Sequence, residues 1–310
     1  MSATDDRVIV VAGEALVDLV LGATDELRGH PGGGPFNTAR TLGRLEQPVA
    51  YLGRISTDRF GRRMRDELEA DGVRLEAVVA TDDPTTLALA EVGAGGSATY
   101  RFYTDGTSAP GLTEQEARSA LPDHVDTLHV GTLGLVLEPI GTTLEALVTE
   151  AADDMMVVMD PNCRPTAIPD AAAYRGRLRR MLPRCDVVKV SEEDLEFLEP
   201  GRGPVEAARA LVADGAPVVL VTRGGDGALV VTAQERIAVP APPADVVDTI
   251  GAGDAFSGGF LAWWRLRALH RADLTRLDTV VQATEFACLV AARTCERPGA
   301  APPRLAELPV

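Results

Sequence analysis

The feature that most constrains this chain is the alternation of short β-branched runs with longer stretches of helical spacing. Residues 7–12, 49–53, 126–131, 156–160, 187–190 and 218–222 read as buried strands. Between them, residues 36–45, 60–71, 140–152, 174–182 and 205–214 carry apolar side chains at helical intervals, with Asp58 a cap for the second. This rhythm predicts a mostly parallel central sheet with helices on both faces. In such sheets ligands bind beyond the carboxyl ends of the strands. Residues 86–92 and 98–103 break the rhythm: joined through Gly93, Gly95 and Gly96, they predict a β-hairpin with Thr99, Arg101 and Tyr103 on one face. A lone hairpin cannot bury its own face, so it must cover something: either it decorates a sheet edge or, the favoured reading, it is a lid over a site that must exclude water.

The expected organisation of the 310 residues is one domain with a small β lid drawn from about 14–30 and 86–105. The formal net charge of −16 repels phosphate backbones, and 4% aromatic content leaves little for base stacking, so nucleic acid is not an expected partner. An anionic ligand must then be held by local donors. The apolar runs are too short to cross a bilayer, and residues 1–7 are polar and acidic, unlike a signal peptide. Cys163, Cys185, Cys288 and Cys295 lack disulfide or zinc spacing and read as reduced cytoplasmic thiols.

The strongest local signal is Asp248-Thr249-Ile250-Gly251-Ala252-Gly253-Asp254-Ala255-Phe256. Its glycines let a ligand approach the backbone, and the helix start behind them offers amide groups to an anion. Asp254, in the first turn, either caps the helix or accepts a proton from a hydroxyl beside that anion. About 200 residues upstream stands His30-Pro31-Gly32-Gly33-Gly34-Pro35-Phe36-Asn37-Thr38-Ala39, followed by Leu52-Gly53-Arg54-Ile55 and Asp58 three residues before Gly61. Asn37 can both donate to and accept from hydroxyls, and Gly33 and Gly34 let the chain lie against a ligand.

In order and spacing these two segments resemble the signatures of the ribokinase-like, or PfkB, carbohydrate kinase family. The resemblance implies a three-layer sandwich with a mostly parallel sheet and a small β-sheet lid. It implies Asp254 as general base, with Gly251, Ala252 and Gly253 forming an anion hole for the transferred phosphoryl group. Asp18, in Gly13-Glu14-Ala15-Leu16-Val17-Asp18, matches the aspartate that accepts from sugar hydroxyls. Arg164, in Asp160-Pro161-Asn162-Cys163-Arg164, would face substrate or phosphate; a surface arginine in a turn reads as well.

Lys189-Val190-Ser191-Glu192-Glu193-Asp194 falls where the family organises Mg²⁺ and nucleotide. Asp194 there replaces a longer glutamate, and the same residues read as a helix start capped by Ser191. Thr222-Arg223-Gly224-Gly225-Asp226-Gly227 resembles the family's nucleotide loop, with Thr222 and Gly224 near phosphates and Gly227 making the turn. The absence of a Walker A sequence makes any ATP site something other than a P-loop. Asp248, Ile250, Arg297 and Gly299 resemble a monovalent-cation site, for an ion such as K⁺; a plain terminal turn reads equally.

Gly13-Glu14, the Asp160–Arg164 segment and Ser191 resemble the fructokinase-like branch, which implies an ATP-dependent kinase acting on a primary hydroxyl, with fructose first. Relatives that act on 2-keto-3-deoxygluconate carry an arginine where this chain has Thr104, after Tyr103, and Tyr103 itself is expected at the sugar. That acid, ribose and other acceptors remain alternatives, as does a silent sugar-binding protein on the same fold. Family members often pair through their lids, which implies a homodimer.

Overall fold

All five residues of the first strand, Val8–Ala12, are buried, which requires cover on both faces of the sheet they enter. The computed structural model describes residues 7–21, 26–92 and 98–309. In chain order the elements are β1 (Val8–Ala12), β2 (Leu16–Leu21), β3 (Leu27–Gly32), α1 (Gly34–Arg44), β4 (Val49–Ser56), α2 (Arg59–Ala70), β5 (Val78–Thr81), β6 (Leu87–Val92) and β7 (Ala98–Tyr103). They continue with α3 (Glu114–Ala120), β8 (Val125–Gly131), α4 (Ile140–Thr149), β9 (Met156–Asp160), α5 (Ala171–Met181), β10 (Val187–Ser191), α6 (Glu192–Leu198) and α7 (Pro204–Ala213). The last are β11 (Val218–Thr222), β12 (Ala228–Val231), β13 (Arg236–Val239), α8 (Ala252–Leu266) and α9 (Leu277–Cys295).

Nine strands form the large sheet in the order β13-β12-β11-β10-β9-β8-β1-β4-β5. Strands β5 through β11 of that order run parallel, and β12 and β13 close one edge as an antiparallel hairpin. Helices α1, α2, α8 and α9 bury one face and α3 to α7 the other. The expected three-layer arrangement is what the chain adopts. Most predicted elements recur with ends moved by a few residues, and Asp58 caps α2 by accepting from the Gly61 amide at 2.8 Å.

The second sheet has four strands, in the order β3-β2-β6-β7. β6 and β7 are the expected hairpin; its Gly93, Gly95 and Gly96 connection, and the Thr99 side chain, lie outside the described residues. β3 has poor strand propensity, with Gly29, Pro31 and Gly32 in six residues, and it survives because it sits on an edge. Strand register decides which side chains face the large sheet. Asp18 pairs with His30 on one side and Ala88 on the other, and Ala88 pairs with Phe102. Phe102 packs with Leu16, Ala88 and Leu133, so this row faces the cleft. Tyr103 pairs with Leu87, which pairs with Val17, and belongs to the opposite face.

Candidate active site

The two sheets enclose a cavity of about 400 Å³ beyond the carboxyl ends of β1, β8, β9 and β10. Asp254 lies on its floor, in the first turn of α8, and is only 8% exposed. Gly251 can open this helix because its backbone is left-handed, at φ 76°. A Cβ at Gly251 would stand 2.6 Å from Cβ of Ala300. The Asn37 amide donates to Asp254 Oδ2 at 2.9 Å, and the Thr38 hydroxyl donates to the Asp254 carbonyl at 3.3 Å. Burial pushes the Asp254 carboxyl up to about 6, against the Asn37 hydrogen bond. A carboxylate tuned there is ionised at neutral pH yet basic enough to take a proton.

Gly251 and Gly253 line the cavity, and as helix-start residues their amides lack intrahelical carbonyl partners. Ala252 does not line it, and its amide donates to the Thr249 carbonyl at 3.2 Å. Beneath Gly253 lies Lys189, whose ammonium donates to Asp160 Oδ2 at 2.9 Å, both side chains almost fully buried. Burial opposes the charge on Lys189, but the Asp160 and Asp194 carboxylates outweigh it and raise its pKa.

The roof comes from the smaller sheet. Asp18 faces the cavity, and burial lifts its carboxyl to about 6, with the Arg164 charge pulling the other way. A Cβ at Gly32 would stand 2.2 Å from Asp18 Oδ2, so a larger residue there would displace that carboxylate. Arg164 also lines the cavity, donating to the carbonyls of Asn162 and Cys163 in a turn where Asn162 takes φ 38°. Gly33 and Gly34 line it too, and a Cβ on Gly34 would meet Cγ2 of Thr132 at 2.3 Å.

Three contributors escaped the sequence reading. Phe102, and not Tyr103, turns into the cavity; Tyr103 is 49% exposed, because strand alternation sends it outward. Thr132 holds an unusual left-handed backbone at φ 56°. Glu14 is 1% exposed and accepts from the Gly34 amide at 3.2 Å, the Gly134 amide at 2.8 Å and the Thr132 hydroxyl. Burial drives its carboxyl up to about 7. A glutamate two residues past a buried strand was the available signal.

Of the remaining expected residues, Ile250 lines the cavity and the others lie off it. Ser191 caps α6 through its hydroxyl, as expected, and Asp194 completes the capping box, accepting from the Ser191 amide and hydroxyl at 2.8 Å each. The other Asp194 oxygen accepts from the Cys163 amide at 2.6 Å. Thr222 pairs in register with Ser191, so the β10 and β11 ends lie side by side. Gly224 and Gly227 are left-handed, at φ 52° and 86°, in the turn that follows. Asp248 accepts from the Ile250 amide at 3.0 Å and from the Gly299 amide at 2.8 Å, while the Arg297 side chain pairs with Glu307.

Together the fold and this cleft define a kinase-like α/β protein that brings an acid, helix-start amides and a sugar-sized cavity to one point. Residues 6–307 match the pfkB family of carbohydrate kinases, and the chain belongs to that family. It is 35% identical over 277 residues to a fructokinase of Rhizobium leguminosarum bv. trifolii, covering 87% of this chain and 84% of that one. Among solved structures it resembles the ATP-bound fructokinase of Xylella fastidiosa, with TM-score 0.89, 26% identity, and coverage of 98% of this chain and 97% of that one. It also resembles the Vibrio cholerae fructokinase bound to fructose, ADP and calcium, with TM-score 0.82, 27% identity, and coverage of 96% and 95%.

Proposed function

We propose that this protein is an ATP-dependent fructokinase, transferring the γ-phosphoryl group to a primary hydroxyl of the sugar. The observation that carries the reading is the buried Asp254 carboxylate, held by Asn37 at 2.9 Å and facing Asp18 across a sugar-sized cavity. Asp18 accepts from vicinal hydroxyls, Asn37 and the Gly33–Gly34 backbone orient the ring, and Phe102 covers its apolar side. Asp254 takes the proton of the attacking hydroxyl. The sugar oxygen forms its bond to phosphorus as the bridging oxygen leaves with ADP, and the Gly251 and Gly253 amides stabilise the charge in flight. Arg164 and Lys189 add positive charge at that point. Thr222, Gly224 and Gly227 receive the nucleotide phosphates.

Among the described residues no three His, Cys, Asp or Glu side chains converge as a metal cage, while Asp160 Oδ1 is buried without a hydrogen-bond partner. That donor set fits a Mg²⁺ that arrives on the nucleotide and keeps several waters. Asp160 and Asp194 would hold those waters, and the ion would neutralise phosphate charge. Asp248, with the carbonyls of Ile250 and of Arg297 to Gly299, would hold a monovalent cation such as K⁺. The four free thiols support a cytoplasmic setting. The outer face of the smaller sheet carries exposed Leu27 and Tyr103, which supports a homodimer through the lid.

Fructose is preferred over 2-keto-3-deoxygluconate because Thr104 replaces a guanidinium and Arg101 is exposed on the outer face of β7, leaving the acid's carboxylate without that partner. A coupled assay of ADP release tests this across fructose, ribose, 2-keto-3-deoxygluconate and a nucleoside, with fructose expected to give the highest kcat/KM. Nucleotide-independent sugar binding with no turnover would instead identify a silent binding protein.

A further inference from the structure

The anion-hole loop is braced from behind by the C-terminal segment, and that segment is tied to a charged cluster outside the cavity. Ala300 stands directly behind Gly251, leaving no room for a Cβ there, and the Gly299 amide donates to Asp248 at the start of the same loop. Arg44 donates from Nε to the Pro302 carbonyl at 2.6 Å, and Arg40 reaches the Ala300 carbonyl at 3.5 Å, the long end of a hydrogen bond. These two arginines, one helical turn apart on α1, are both held by Asp71 just past α2. Its carboxylate accepts from Arg40 Nε at 2.8 Å and from Arg44 at 3.0 Å, and it is 5% exposed. Arg40 also lies over the Phe36 ring, at 5.7 Å.

A guanidinium has a planar fork, so fixing one edge on a carboxylate fixes where its remaining N–H groups point. Asp71 therefore sets the positions of two donors that hold the 300–302 backbone. The same helix carries Asn37, which holds Asp254. We propose that Asp71 is a positioning residue for phosphoryl transfer: through Arg40 and Arg44 it seats Ala300 against Gly251 and so fixes the amides that face the transferring group. The effect on turnover rests on the kinase reading above; the effect on the loop does not.

The test uses full-length Arg44→Met, Asp71→Asn and Ala300→Gly, the last removing only the methyl behind Gly251. Hydrogen exchange of the peptide spanning residues 248–256 is expected to quicken in all three, while the β6 strand exchanges as in the wild type. With fructose and ATP, kcat is expected to fall about tenfold while the fructose KM stays within about twofold, because small misplacement of a reacting group is felt mainly in the chemical step. Arg44→Lys, which keeps a cation and a donor, is expected to recover part of that loss. Wild-type exchange over 248–256 in folded Arg44→Met and Ala300→Gly would overturn the proposal, and so would unchanged kcat in both. An inactive wild type would overturn the kinase reading instead, and exchange would still decide the clamp.

Discussion

The Asn37 side-chain amide and the Asp254 carboxylate meet at 2.9 Å across 217 positions of sequence, joining the first helix to the eighth at the floor of the cleft. The hydrogen bond favours the ionised carboxylate, while burial, the larger influence, raises it to about 6. As a base it must be ionised, so turnover falls as pH drops through about 6. Asn37→Ala removes the donor, and the acid limb of the kcat profile is expected to move to higher pH. Asp254→Asn is expected to lower kcat at least about a hundredfold with ATP binding nearly intact. Retained turnover, measured by ADP release, would count against Asp254 as the base.

Asp18 and Gly32 give a separate check on the sugar. Asp18→Ala removes the acceptor from the roof of the cavity, and Gly32→Ala drives a methyl toward its carboxylate, where 2.2 Å is available. Both are expected to raise the fructose KM, Asp18→Ala by about a hundredfold, in keeping with the loss of a charged hydrogen bond worth roughly 2–3 kcal/mol. The KM for ATP is expected to change little.

The buried Lys189–Asp160 pair predicts a stability effect. Lys189→Met leaves Asp160 without its cation, and breaking such a pair costs about 3–5 kcal/mol. The double variant Lys189→Met with Asp160→Asn is expected to recover much of that loss in urea unfolding. A double variant as unstable as the sum of the singles would show that the two residues do not stabilise one another.

Glu14 predicts a pH dependence of stability. Its carboxyl is raised by burial from 4.5 to about 7 in the folded protein, so the fold favours its protonated form. That preference is fully present below 4.5, and the stability it brings is lost as pH climbs through about 7. Glu14→Gln removes this dependence, worth roughly 3 kcal/mol at most. Urea midpoints at pH 5 and pH 8 are expected to lie closer together in the variant than in the wild type.

The parallel core was legible because buried strands are written as continuous apolar runs, as in Val8–Ala12 and the first four residues of Val218–Thr222. The glycines at 251 and 253 and the acid at 254 were legible because a close backbone approach and a helix start demand those residue types. Less could be read where position depends on pairing. The choice of Phe102 over Tyr103 turns on register, which shifts every side chain to the other face with a slip of one residue. β3, rich in glycine and proline, gives no strand signal of its own. Asp194 and Ser191 fitted both a cap and a metal-linked role, and their hydrogen bonds show the cap. The place of Glu14 just past β1 hints at a site but not at its role, since its three donors come from residues 34, 132 and 134.

Because Asp254, the proposed proton acceptor, sits on the eighth helix and Asp18, proposed to hold the sugar, on the second strand, the two are made at opposite ends of synthesis. A growing chain emerging from the ribosome holds its sugar-facing half long before it holds a base or the amides beside it. On the proposed mechanism a half-made molecule consumes no nucleotide, and a chain cut short ahead of residue 252 is expected to be inert rather than wasteful.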